Sequence, residues 1–120
     1  MRLSALLFIL VFTNTIITAQ NVAIIPQPVS IQPLKGKFAL SSQTAVGYSQ
    51  DAAKPVADML AARLNTATGY RLKTQRRGQI QLSLNAQANS TLGKEGYVLD
   101  VTPQGVKISA NEPAGLFYGM

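Results

Sequence analysis

Any chemistry in this 120-residue chain would have to come from very few side chains. It has no histidine and no cysteine, and its acids are Asp51, Asp58, Glu95, Asp100 and Glu112. General acid–base work needs two proton-handling groups within reach of one substrate. No two of these carboxylates stand at a spacing that makes such a pair. Asp51 and Asp58 lie on or beside a predicted helix, whose first turn favours negative charge, so Asp51 is explained without function. Asp100 alternates with Leu99 and Val101 and faces solvent, and Glu112 fits the opening turn of a last helix. No glycine-rich loop leads into a helix as a phosphate cradle would require, and no cluster has metal-ligand spacing. We therefore expect this chain to contribute no catalytic, cofactor-binding or metal-binding residue.

The remaining polar signals are weaker. Net charge is +6, and Arg71, Lys73, Arg76 and Arg77 fall close together. Such a cluster suits nucleic acid or an anionic polysaccharide. No aromatic ladder runs between these charges, and the chain opens like an exported protein, so a solvated strand end or turn is the simpler reading and no nucleic-acid partner is expected. Asn89-Ser90-Thr91 matches a glycosylation sequon, which matters only where secreted chains are glycosylated.

The elements that would position these groups begin after a leader. Arg2 followed by the apolar run Ala5 to Val11 and the small residue Ala19 reads as a signal peptide over 1–19. The run is broken by Thr13, Asn14 and Thr15 and is too short to span a bilayer, which takes roughly 20 apolar residues. No membrane span is expected once the leader is removed. Residues 20–34 carry Pro26, Pro28 and Pro33 among apolar residues; proline fixes φ and lacks an amide proton, so this is an extended arm. The rest, 35–120, has room for one small core.

Within it, Phe38-Ala39-Leu40 and Thr44 to Tyr48 read as short strands. Val56, Met59, Leu60 and Leu64 recur at helical spacing, predicting a helix over about residues 53–66 with Pro55 near its start and Gly69 as its cap. A short strand is expected over Tyr70 to Thr74. Gln79 to Leu84 alternates with period two, a strand with one buried face. Tyr97 to Val101 and Val106 to Ser109 flank Thr102-Pro103-Gln104-Gly105, a hairpin whose Gly105 is available for positive φ. Asn111-Glu112-Pro113 predicts a second helix start, with Asn111 as the cap and Leu116, Phe117 and Met120 near an apolar stripe. Tyr97 and Phe117 are assigned to the core.

Taken in order, the leader, "IIPQPVSIQPLKGKFALSSQTAV", a helix ending before "TGYRL", the strand "IQLSL" and "GKEGYVLDVTPQGVKISANEPAGLFYGM" form a series. The series resembles the amino-terminal domain of exported β-N-acetylhexosaminidases of glycoside hydrolase family 20. Pro26, Pro28 and Ser30 match the opening motif. Glu95, Gly96, Tyr97, Leu99, Val101, Gly105, Val106, Ile108, Ala110, Ala114, Gly115, Phe117, Tyr118 and Gly119 match the longer closing one.

The resemblance implies an α+β domain, a mostly antiparallel sheet with two helices packed on one face, the second helix cut short. It also implies a partner within the same polypeptide, a catalytic (β/α)8 barrel absent from this sequence. There an Asp–Glu pair would release terminal N-acetyl-hexosamine (GlcNAc or GalNAc), the substrate's own 2-acetamido group acting as nucleophile. The implied location is periplasmic, cell-surface or extracellular. Gly115 and Gly119, four apart, would let the last helix approach its neighbour closely. Two other readings stay open: a stand-alone secreted carbohydrate-binding module, with only Tyr48, Tyr70 and Tyr118 left for sugar stacking, or the leading domain of a different glycosidase.

Overall fold

The computed structural model describes residue 24 and residues 27–120; the leader over 1–19 lies outside the described residues. Residues 1–33 and 34–120 separate into two units. In the first, the described residues have no helix or strand.

In the second, β1 (Val46–Tyr48) leads through a 3₁₀ turn (Asp51–Ala53) into α1 (Lys54–Thr68); β2 (Thr74–Gln75), β3 (Ile80–Leu84), β4 (Tyr97–Thr102), β5 (Gly105–Ala110) and α2 (Pro113–Gly119) follow. Pro55 sits in the first turn of α1, where its missing N–H costs nothing. Gly69 ends the helix in the left-handed region at φ 74°, its N–H donating to the Asn65 carbonyl. The expected strand over Phe38 to Leu40 does not form. That segment is irregular, yet Phe38 and Leu40 pack against the core. The strand expected from Tyr70 shrinks to the two residues of β2.

The five strands form one sheet in the order β2-β1-β3-β5-β4. The domain is α+β as expected, but its sheet is mixed rather than mostly antiparallel. β1 pairs in parallel with β2 and β3, and β3 with β5; only β4 and β5 run antiparallel. The connections explain this. Among paired strands only β4 and β5 follow each other through a tight turn, and α1 returns the chain to its starting end between β1 and β2. The 85–96 segment instead stays at the far end of β3 and leads into β4, whose reversed run brings the chain back so that β5 lies parallel to β3.

Register puts Val46 beside Ile80, Ile80 beside Val106, and Leu82 beside Ile108. These side chains share one face, and both helices cover it: Val56, Ala57, Leu60 and Ala61 of α1 and Leu116 of α2 belong to the same buried cluster. The opposite face carries Gln81, Ser83, Lys107, Ser109 and Asp100, with the Ser83 and Ser109 hydroxyls 3.3 Å apart. α2 lies very close to the sheet. A Cβ on Gly115 would meet the Gly96 carbonyl oxygen, and one on Gly119 would meet Ile108 and Tyr97. The two glycines therefore do face the neighbouring layer.

Two local assignments are corrected. Gly105 is not at positive φ; a Cβ there would meet the Gln79 carbonyl oxygen at 2.5 Å, so close approach of β3 requires the glycine. Asn111 does not cap α2. Glu112 holds the cap position in extended backbone, with no side-chain cap bond. The Asn111 amide instead serves the 85–96 segment, which crosses from the end of β3 to the sheet edge. Its Oδ1 accepts from Asn85 Nδ2 and from the Asn89 N–H, and its Nδ2 donates to the carbonyls of Asn89 and Gly93, all at 2.8–2.9 Å. Crossing backbone needs partners wherever it leaves water. Asn111 provides them.

Candidate functional site

The carboxylates are spread over separate elements. Asp51, in the 3₁₀ turn, meets Arg76 at 2.6 Å, and Asp58, on α1, meets Lys54 one turn earlier at 2.7 Å. The hydrogen bond from Lys54 holds the Asp58 carboxyl below the usual range, and the same bond raises Lys54. Asp100 lies on the far face opposite Lys107. Glu95 is in the crossing segment and Glu112 at the cap of α2, both exposed. Among the described residues no three His, Cys, Asp or Glu come together as a metal site would need.

The basic cluster brackets β2. Arg71, Lys73, Arg76 and Arg77 are all exposed. Arg76 stacks over the Tyr48 ring at 4.9 Å from its centroid, with Lys54 at 6.0 Å on the same ring. Tyr48 is thereby taken up by cations. Arg77 lines an open depression of about 420 Å³ at the amino ends of the parallel strands, with Gln43, Gln75, Gln79 and Gln104. Its lining has neither an aromatic platform nor an acid, so it offers amide and guanidinium hydrogen bonds and no proton chemistry.

A second feature was misplaced by sequence periodicity. Leu116 is fully buried, but the next residue, Phe117, expected in the core, is 41% exposed, and Tyr118 is 55% exposed. Their rings meet edge to face at 5.7 Å, and the Arg63 guanidinium of α1 lies 5.8 Å from the Phe117 ring. Met59, also expected on the buried stripe, is 43% exposed on α1. Tyr97, by contrast, does pack against the core. On a seven-residue helix seated through glycines, only one side of the turn can reach the sheet. Leu116 occupies it and Phe117 is turned outward.

The described residues 34–120 define a small α+β domain, with two helices on one face of a mixed five-stranded sheet and the carboxylates on separate elements. Residues 21–120 match the model of glycosyl hydrolase family 20, domain 2. The chain is 27% identical over 110 residues to a beta-hexosaminidase of Porphyromonas gingivalis, covering 84% of this chain and 13% of that protein. The solved N-acetyl-beta-hexosaminidase of Streptomyces plicatus superimposes with a TM-score of 0.70 at 40% identity, covering 80% of this chain and 19% of that one. An exo beta-N-acetylglucosaminidase of Vibrio harveyi, solved with N-acetylglucosamine, gives 0.64 at 25% identity, over 78% and 14%. The chain belongs to glycosyl hydrolase family 20, and the part of the family that it supplies is the non-catalytic domain 2. It spans less than a fifth of the length of these relatives.

Proposed function

We propose that this chain is the accessory domain of an exported exo-acting β-N-acetylhexosaminidase that removes terminal GlcNAc or GalNAc from the non-reducing ends of glycans. The observation that carries the reading is the match to domain 2 over residues 21–120, joined to 40% identity with a solved N-acetyl-beta-hexosaminidase. On this reading the proton donor and the carboxylate that orients the substrate's 2-acetamido group belong to the barrel of the same polypeptide. The domain's own part is to support that barrel. The leader-like 1–19 stretch supports export to the periplasm, the cell surface or the medium.

The test is hydrolysis by the complete polypeptide. A chromogenic N-acetyl-β-glucosaminide and the matching galactosaminide should both be cleaved with retention at the anomeric carbon, while the corresponding β-glucoside, which lacks the acetamido group, is not. Cleavage of the plain glucoside at a comparable rate would remove the acetamido group from the mechanism and with it this reading.

A further inference from the structure

We propose that the amino-terminal edge of the sheet, around the depression lined by Arg77, is a binding surface for an acidic polysaccharide, one whose sugars carry carboxylate or sulfate; this surface stands apart from the hydrolysis assigned above. The charges of the domain are sorted between its two ends. β1, β2, β3 and β5 are parallel, so their starts lie along one edge of the sheet. Arg71 and Lys73 stand there just before β2, and Arg77 lines the depression before β3. Gly36 packs so close to Pro103, in the β4–β5 turn, that a Cβ would strike its ring, which brings Lys35 and Lys37 to the same edge. All five cations are exposed, and among the described residues the ion pairs engage only Lys54 and Arg76. The acids do not balance this edge. Asp58 and Asp51 are held in those two pairs, Asp100 stands opposite Lys107, and Glu95 and Glu112 lie at the other end, before β4 and after β5.

The lining selects the ligand. The turn that carries Arg77 is fixed in place: Gln75 Nε2 donates to the Arg77 carbonyl at 2.6 Å, while Gln81 accepts from the Gly78 N–H and donates to the Arg76 carbonyl. Beside it, Gln79 Oε1 accepts from the Ala45 N–H at 2.9 Å, which leaves the Gln79 NH₂ group as a donor, and Gln104 adds a second amide from the β4–β5 turn. A fixed set of amide and guanidinium donors without an acid suits carboxylate or sulfate oxygens, which arginine binds in bidentate fashion. A neutral sugar or an unstacked nucleic-acid base is held instead on an aromatic platform. The depression has none. Length favours a polymer over a single anion, because the edge from β2 to β4 covers four strand spacings, roughly 19 Å.

Titration of the complete polypeptide with chondroitin sulfate, hyaluronan, uncharged dextran and a short DNA duplex tests the proposal by calorimetry. Chondroitin sulfate should bind, more weakly as salt screens the contacts, and dextran should not. Hyaluronan binding as well assigns the carboxylate as the group recognised, and chondroitin sulfate binding alone assigns the sulfate; either supports the surface. Arg77→Gln should lower the affinity about tenfold, the loss of one charge-assisted contact. Gln104→Ala, which removes no charge, should lower it about threefold. Lys94→Gln removes the same charge as Arg77→Gln from the exposed crossing segment at the opposite end and should leave the affinity unchanged. Equal losses in Arg77→Gln and Lys94→Gln reduce the effect to general attraction and overturn the proposal. An unchanged affinity in Arg77→Gln, DNA binding as tightly as chondroitin sulfate, or no binding of either acidic glycan overturns it as well.

Discussion

Replacing Asn111 by aspartate separates two roles that one residue could play at the start of α2. As a helix cap, Asn111 would tolerate the change, because aspartate and asparagine cap about equally well. In the structure its amide makes four bonds to the crossing segment, two as acceptor and two as donor. Aspartate keeps the acceptor side, toward Asn85 Nδ2 and the Asn89 N–H, and loses both donations. Two lost bonds in a partly exposed setting come to about 1 kcal/mol. The carboxylate is then held against the carbonyl oxygens of Asn89 and Gly93, which adds a repulsion of about 1 kcal/mol or more. A favourable interaction with the α2 dipole returns at most a few tenths to about 1 kcal/mol, and the helix is short. Asn111→Asp should therefore cost about 1–2 kcal/mol net, and Asn111→Ala, which loses all four bonds, about 2 kcal/mol. Chemical denaturation of the three proteins measures both values. Amide exchange adds a local readout, since the Asn89 N–H should lose protection in Asn111→Ala while the β3 amides do not. A neutral Asn111→Asp beside a costly Asn111→Ala would refute the anchoring geometry and restore the cap.

The two glycine positions should respond differently. Gly69→Ala places a Cβ in the left-handed region with open space around it, costing about 1 kcal/mol. Gly115→Ala presses a Cβ onto the Gly96 carbonyl and the Ala110 side chain, neither of which can swing aside, and should cost about 1–3 kcal/mol by overpacking; equal melting temperatures for the two variants would count against the close seating of α2. Asp58 titrates below the ordinary carboxylate range because Lys54 donates to it. Its small contribution is therefore present above the unfolded carboxyl pKa and fades as the pH falls through the depressed value, whereas that of Lys54, raised by the same bond, fades as the pH rises through its own. An NMR titration of Lys54→Met should show the Asp58 midpoint moving upward, and an unmoved midpoint would remove Lys54 as the cause. Leu82→Ala, at a fully buried position in the central strand, should cost about 2–5 kcal/mol in a denaturant melt.

Where local pattern and tertiary structure ask the same thing of a residue, the sequence can be read directly. The β4–β5 hairpin, β3, α1 with its Gly69 cap and the glycines of α2 are of this kind, because one strand period, one helix stripe or one four-residue spacing decides them. The sheet's handedness of pairing is not local. Alternation shows that Gln79 to Leu84 has a buried face but not which strands flank it, and the parallel pairings follow from the α1 crossover at 49–73 and from the 85–96 segment, which places β4 beyond β5 so that β4 runs back and β5 lies parallel to β3. Phe117 and Met59 fail for a related reason. An apolar residue next to a stripe is assigned to the core by periodicity, yet a helix that touches the sheet through small residues, glycine in α2 and Ala57 and Ala61 in α1, has a narrow contact line. The apolar residues beside that line are left over. Asn111 shows the same limit on the polar side, since a side chain that satisfies a cap motif in sequence is drawn away by backbone 18 to 22 residues earlier in the chain and by the Asn85 side chain 26 residues earlier. Asn111 and Phe117 lie at the corner formed by α2, β4 and the crossing segment, and Arg63 of α1, the helix that carries Met59, lies beside the Phe117 ring. That corner is shaped by requirements outside local propensity, and it is where the longer family motif is concentrated.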